Sequence, residues 1–196
     1  MKKLCLGMAL AAAVFTAGCA HPMMIKPDIS ALAIPADASR IPKSVGLYIS
    51  AENRNKQVTT PGGGGDKVSY RPYADIETGL YKVLGNVFQN VEVLSSISDV
   101  DSIAKHSLVY IAVPEITTSS SSSGFFTWMA TDFAVNLNCK INDVAGRTLI
   151  AVSSTGTGHA DFAELKSDMS RAGERASQDA LTKLQAALLQ APEIRK

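Results

Sequence analysis

One stretch of the chain alternates apolar and polar residues with a period of two. Within the predicted strand 126–141, its apolar members are Phe133, Val135, Leu137, Cys139 and Ile141. Such alternation is typical of an antiparallel strand with one face buried and the other in solvent. Turn-forming residues at 142–147 and a second strand at 148–158 follow, which predicts a hairpin. Together with a predicted strand at 108–116, this pattern builds the domain around a three-stranded meander.

Two longer segments have apolar residues at helical spacing. Residues 72–88 begin with Pro72, which suits a first helical turn, and residues 167–190 carry an alanine-rich apolar stripe. Shorter strands are predicted at 45–50 and 91–94, and a short helix at 98–106. This order predicts an α+β fold of two layers, with a mostly antiparallel sheet of four to five strands and two main helices on one face.

The first nineteen residues have the features of a secretion signal. Lys2 and Lys3 precede an apolar segment, and small residues lead to Cys19. The apolar segment is too short for a permanent membrane-spanning helix. Residues 15–19, Phe-Thr-Ala-Gly-Cys, resemble a bacterial lipobox. The resemblance implies cleavage before Cys19, a diacylglyceryl thioether on its sulfur and an acyl chain on the new N-terminus. The alternative is an ordinary secretory signal, with Cys19 incidental.

The residue after Cys19 is Ala20, which resembles the sorting class sent to the outer membrane of Gram-negative bacteria. We therefore expect a periplasm-facing protein anchored by lipid. The predicted organisation is a signal peptide at 1–18, a proline-containing extended tether at 19–42, a single α+β domain at 43–191 and a tail at 192–196. Part of the tether is expected to pack on the domain, because it contains Ile29, Leu32 and Ile34.

Charge and cysteine content narrow the range of functions. Cleavage after residue 18 removes two of the 19 Lys and Arg residues and none of the 18 Asp and Glu residues, which leaves 17 against 18 and a formal charge of −1. This balance does not suggest a nucleic-acid partner. Cys139 becomes the single free thiol, so no internal disulfide is expected. Its place on the alternating strand predicts a buried, unreactive side chain.

The sequence contains no complete catalytic or metal-binding motif. Its three histidines are far apart and show no zinc-ligand spacing, so we expect no metal and no cofactor. His159 and Asp161 are two residues apart and would share one face of a strand, which leaves open a small-ligand-binding or hydrolytic module. The glycine run 62–65 could contribute to it, but a P-loop requires Gly-Lys-Ser/Thr where this chain has Asp-Lys-Val.

A cluster of large apolar residues follows the serine- and glycine-rich segment 119–124. Its members are Phe125, Phe126, Trp128 and Met129. These residue types are enriched at protein interfaces, so the cluster is the predicted partner-binding site. Two alternatives stay open: alternate members, namely Phe126 and Trp128, could cap the end of the core, or the segment could touch the membrane, since aromatic side chains favour its interface.

The layout as a whole resembles that of a known family. The lipobox, the proline-containing leader, the first strand at 45–50, the central meander and the C-terminal helix reached through residues 155–160 resemble the uncharacterised YajG-like lipoproteins. The resemblance implies a lipid-anchored envelope protein and carries no activity. We therefore expect a non-enzymatic protein that binds another envelope protein, as a subunit or an accessory of an assembly.

Overall fold

A computed structural model describes residues 20–36, 38–122 and 129–196. Over these residues the chain forms eight strands and five α-helices. The strands are β1 (Ala20–Pro22), β2 (Ile41–Tyr48), β3 (Val58–Pro61), β4 (Lys67–Tyr70), β5 (Phe88–Leu94), β6 (Leu108–Ser121), β7 (Asp132–Asp143) and β8 (Thr148–His159). The helices are α1 (Ala51–Asn55), α2 (Pro72–Val87), α3 (Val100–Lys105), α4 (Phe162–Ser167) and α5 (Arg171–Gln190).

The main sheet has five strands in the order β5-β2-β6-β7-β8. Strands β6, β7 and β8 form the predicted antiparallel meander, whereas β2 is parallel to both β5 and β6. Helices α2 and α3 lie between those parallel strands along the chain, and parallel neighbours need such crossover connections. The α+β class with two layers is confirmed, and the sheet is mixed, with its antiparallel pairs confined to the meander.

Helices α2 and α5 form the second layer. Helix α5 lies over β7 and β8, and α2 packs beside α5 and over the other half of the sheet. The predicted helix at 72–88 is confirmed almost to the residue. The predicted helix at 167–190 begins later, at Arg171, because α4 occupies 162–167 and the chain turns at Asp168. Small residues on α5, including the buried Ala176 and Ala180, let this helix approach the sheet closely.

A second, three-stranded sheet of order β1-β4-β3 was not expected from the sequence. Its central strand β4 pairs parallel with β1 and antiparallel with β3. Hydroxyl groups join this small sheet to the end of β6. The Ser120 Oγ donates to the Pro61 carbonyl at 2.6 Å, and the Tyr70 and Thr118 hydroxyls lie 2.6 Å apart.

Residues 20–34, which we call the strap, run along the groove between α2 and α5. The Ile25 N–H donates to Asp75 Oδ2 at 3.2 Å near the start of α2. At the other end, the Asn86 amide donates to the Leu32 carbonyl at 2.8 Å. Both Ile25 and Leu32 are buried. The predicted tether thus packs on the helices at its buried residues Met23, Ile25 and Leu32, whereas Ile29, which was expected to pack, is exposed like most of the other described tether residues.

Single glycines make room for the strap on each helix. A Cβ atom on Gly79 would lie 2.5 Å from Leu181 Cδ1 of α5 and 2.8 Å from Pro27 Cγ of the strap, and one on Gly173 would overlap the Ile25 side chain. The chain end is also packed, since Ile194 is buried and its carbonyl accepts a hydrogen bond from the Tyr110 hydroxyl at 3.1 Å. The folded unit therefore extends beyond the predicted domain limits of 43 and 191.

The core joins the strap, both sheets and the two long helices into one cluster of buried side chains. A smaller cluster of Leu94, Leu108 and Ile111 lies apart from it, with Ile103 of α3 packed against it. Across the described ranges, none of the helices is both long and apolar enough to span a bilayer.

Candidate functional site at the strand ends

A shallow cleft of about 430 Å³ lies where β6 ends, β7 begins and β8 ends. We call it the polar cleft. Its lining includes Ser119, Ser121, Asp132, Phe133, Thr157 and His159. Polar side chains form most of its rim, and the Phe133 ring, which is buried, contributes an apolar surface. The cleft therefore offers hydrogen-bonding groups next to a larger apolar surface.

Strand register brings these residues together. Ser121 is opposite Asp132 on β7, and Asp132 is opposite His159 on β8. One residue inward, Phe133 points to the buried face, as the period of two requires. The three polar residues thus come from three different strands, and each lies at or beside the end of its strand.

Asp132 and His159 form a hydrogen-bonded pair in the cleft. The His159 Nδ1 lies 2.7 Å from Asp132 Oδ1, and the Thr131 hydroxyl donates to Asp132 Oδ2 at 2.7 Å. These two hydrogen bonds, first that with His159, lower the pKa of the Asp132 carboxyl. The side chains are 44% and 63% exposed, so the pair is open to solvent. An exposed pair of this kind contributes little to stability and remains accessible to a ligand.

A second group of charges supports the backbone beneath His159. The Arg175 guanidinium donates to the His159 carbonyl at 2.6 Å and forms an ion pair with Glu164 at 2.5 Å. Glu164 and Asp161 form a reciprocal capping box at the start of α4. Asp161 is therefore a helix-capping residue here. The predicted His159–Asp161 pairing is not the one observed, because His159 bonds to Asp132.

The observed pairing depends on the exact register of the hairpin. The pairing of Cys139 with Val152, extended outward, places Asp132 opposite His159, whereas the predicted strand limits of 141 and 148 would place Asp132 opposite Thr157. The separation of 27 residues hid this partner from a search for short motifs.

The glycine run 62–65 forms the turn between β3 and β4. The Gly62 N–H donates to the Asp66 carbonyl at 2.9 Å, and Gly64 and Gly65 adopt positive φ angles of 64° and 89°. Positive φ is costly for residues with a Cβ atom, which explains glycine at these two positions. The run closes a hairpin and is not followed by a helix, so it lacks the setting of a phosphate-binding loop.

The predicted partner-binding cluster is only partly described. Phe125, Phe126 and Trp128 lie outside the described residues, as does Cys19. Met129 is buried in the main core. Its side chain is therefore not available to a partner, whereas the prediction for the other three residues stands untested.

Two further features bear on chemistry. Cys139 is fully buried on β7, and burial raises the pKa of its thiol to about 12, so it is protonated at neutral pH. This agrees with the predicted unreactive side chain. Among the residues that the structure describes, no three His, Cys, Asp or Glu side chains are grouped so that they could hold a metal ion.

No protein-family model matches the chain, and no curated protein matches it. Similar solved structures include a Xanthomonas campestris protein of the family DUF330, with 12% identity and a TM-score of 0.46, covering 87% of this chain and 91% of that one. A PelC dodecamer from Paraburkholderia phytofirmans has 15% identity and a TM-score of 0.41, with coverages of 78% and 95%. A candidate lipoprotein from Caulobacter crescentus has 13% identity and a TM-score of 0.37, with coverages of 74% and 87%. At such low identities, none of these proteins transfers a function to this chain.

Proposed function

We propose that this protein is a non-enzymatic envelope lipoprotein, anchored in the outer membrane through lipid on Cys19, that binds another envelope protein as a subunit or accessory of an assembly. The anchor rests on the lipobox-like residues 15–19. The binding role rests on the side of the meander that α2 and α5 leave uncovered.

This side, the open face, consists of outward-pointing residues of β6, β7 and β8. Thr117, Asn136 and Thr155 form one row across it, and the Thr155 hydroxyl donates to the side-chain oxygen Oδ1 of Asn136 at 2.8 Å. In the next row, Asn138 donates to Glu115 at 3.1 Å. Short side chains already held by hydrogen bonds lose little conformational entropy on binding, which favours recognition by a rigid surface. The open face is the observation on which the binding role depends.

The roles of the residues in the alternative hypothesis also favour binding. Asp161 caps α4, and Gly64 and Gly65 provide the positive φ angles of a hairpin turn. Both features are explained by folding alone. A hydrolytic module built on His159 would need Asp161 and the glycine run for its chemistry, but the fold already uses both for other purposes.

The anchor is tested by replacing Cys19 with Ala. We expect the variant to be either soluble or unprocessed, whereas the wild type floats with the outer-membrane fraction and carries lipid detectable by mass spectrometry. Membrane retention of a cleaved Cys19→Ala protein would contradict the lipid anchor.

The binding surface is tested by photo-crosslinking in cells. A photo-reactive amino acid at Thr155 on the open face is compared with one at Thr182 on the outer side of α5; both threonines are exposed. We expect a discrete adduct with an envelope protein from position 155 and none from position 182. Identical adducts from both positions, or none from 155, would count against the open face.

The predicted cluster is tested separately. The double variant Phe125→Ala with Trp128→Ala is expected to fold normally by circular dichroism and to lose a partner that co-purifies from detergent-solubilised envelopes. Retention of every partner would show that the binding surface does not include these two residues.

A further inference from the structure

The first residue that the structure describes, directly after the predicted lipid-bearing Cys19, lies in a strand. Ala20 is the first residue of β1 and is paired with Lys67 of β4. The Met23 N–H then donates to the Ser69 carbonyl at 2.9 Å, and the buried Ile25 N–H donates to Asp75. One residue spans at most about 3.6 Å. A lipid on Cys19 is therefore held within a few ångströms of the small sheet.

Strand pairing links Ala20 to the polar cleft. Across the small sheet, Lys67 is opposite both Ala20 and Pro61. The Pro61 carbonyl accepts a hydrogen bond from Ser120 at the end of β6. The neighbouring Ser121 is opposite Asp132, which pairs with His159. One row thus crosses both sheets, and the β3–β4 turn and the polar cleft lie at the same end of the molecule as Ala20.

The opposite end is formed by the turn between β7 and β8. Strand β7 has 12 residues, and at ~3.3 Å per residue it separates the two ends by ~40 Å. Residues 144–147 of that turn are exposed. The molecule therefore has a near end and a far end relative to Cys19.

We infer that the near end, comprising Ala20, the turn at 62–66, Lys67 and the rim of the polar cleft, lies against the surface of the lipid bilayer. This inference rests on the proposed lipid on Cys19 and adds the orientation of the domain. Because only Cys19 itself connects the lipid to β1, the connection is too short for the domain to rotate its far end toward the membrane.

The charges of the near end suit a phospholipid headgroup layer. The His21 Nε2 lies 3.5 Å from Asp66 Oδ2, and His159 pairs with Asp132 at 2.7 Å. Lys67, which is exposed, directly follows Asp66, so a cation and a carboxylate lie side by side at the β3–β4 turn. A cation at this position can pair with a headgroup phosphate, which limits the repulsion between the carboxylates and anionic lipids.

The orientation restricts which proteins can reach the polar cleft. The polar cleft opens beside the headgroups, and the open face extends away from them along the strands. A partner that enters the cleft must therefore be present at the membrane surface, as an integral outer-membrane protein or a second membrane-anchored protein is.

The test uses lipidated protein in liposomes of phosphatidylethanolamine and phosphatidylglycerol that contain a headgroup-nitroxide lipid. A fluorophore is attached to single cysteines introduced by Lys67→Cys and Ser121→Cys at the near end, or by Ala145→Cys at the far end; all three positions are exposed. The buried Cys139 does not compete for the label. We expect quenching several-fold stronger at positions 67 and 121 than at 145.

A matched variant carries a twelve-residue Gly-Ser linker between Cys19 and Ala20. Such a linker has a root-mean-square length of ~20 Å, so the domain should turn freely and the quenching contrast should fall while flotation is unchanged. If the linker variant shows the same difference in quenching between the near and far positions, the short connection is not the cause of that difference.

Flotation distinguishes a failure of the proposed orientation from a failure of the proposed anchor. Wild-type protein that floats with liposomes but shows equal quenching at all three positions, or stronger quenching at 145, would overturn the orientation and leave the anchor intact. Protein that neither carries lipid nor floats would overturn the anchor, and this inference with it.

Discussion

Gly156 and Gly158 lie where β8 meets α5. A Cβ atom on Gly156 would overlap the Ala176 carbonyl and the backbone of Ala180, and one on Gly158 would overlap the Ala172 carbonyl. Backbone atoms of a packed helix cannot move aside as the end of a flexible side chain can. The two glycines therefore set the distance between the helix and the sheet.

We predict that Gly156→Ala lowers the free energy of unfolding by about 3 kcal/mol, the upper range for overpacking, because both overlaps involve backbone. The control is Gly85→Ala in α2, where the nearest atom, Val91 Cγ2, is at 3.9 Å. That change should raise stability by about 0.5–1 kcal/mol, since alanine restricts the unfolded chain. Urea unfolding measures both changes in the free energy of unfolding. Equal changes in the two variants would contradict the close approach of α5 to β8 at Gly156.

Asp132 gives a prediction with a pH dependence. Its carboxyl pKa is lowered in the folded protein, so its contribution is present above the unfolded value of about 3.9 and is lost as pH falls through the folded value. Asp132→Asn should therefore destabilise the protein at neutral pH and have no such effect at about pH 2. Because both partners are exposed, the difference should stay below about 1 kcal/mol. Urea unfolding of the wild type and the variant at the two pH values is the measurement. If the variant loses the same free energy of unfolding at both pH values, the ionised carboxylate does not have this role.

At the scale of elements, the strap depends on one buried carboxylate. Asp75 accepts the Ile25 N–H, and burial raises the pKa of this carboxyl despite that hydrogen bond. Asp75→Ala leaves the Ile25 N–H buried without its acceptor, which costs about 1–3 kcal/mol. We expect hydrogen exchange at Ile25 and its neighbours in the strap to accelerate roughly 10- to 100-fold, while exchange in β7 is unchanged.

Asp101→Ala is the matched control, because both aspartates lie in the first turn of a helix and Asp101 belongs to α3, away from the strap. Acceleration of strap exchange in both variants would point to a general loss of stability instead of a local release.

Elements with a clear periodic spacing of apolar residues were predictable from the sequence. Elements that form only because short strands pair with distant parts of the chain were not. Helix α2 and the hairpin of β7 and β8 follow from apolar spacing within the sequence. The small sheet was missed because β3 and β4 are only four residues each and flank the glycine run, which indicated a loop. The partner of His159 was missed for a related reason, since Asp132 comes near it only through strand register.

At the scale of the whole molecule, one core includes strap, sheets and helices. We predict that a lipid-free form beginning at residue 20 unfolds in one cooperative transition. Near-UV circular dichroism follows the buried Tyr70 of the small sheet and Tyr110 of the main sheet, and far-UV circular dichroism follows the secondary structure. The two curves should coincide in urea. A near-UV transition at lower urea would show that side-chain packing is lost before the secondary structure, which would contradict a single transition.

The direction of the strap also has a mechanical consequence. It leaves Ala20 beside β4 and runs along both helices from their first turns toward their last turns. A pull on the lipid therefore draws the strap lengthwise, so its hydrogen bonds to β4, α2 and α5 resist together in shear instead of opening one at a time. Force exerted on the lipid tail during extraction from a bilayer would reach the folded body directly, with no elastic segment to absorb it.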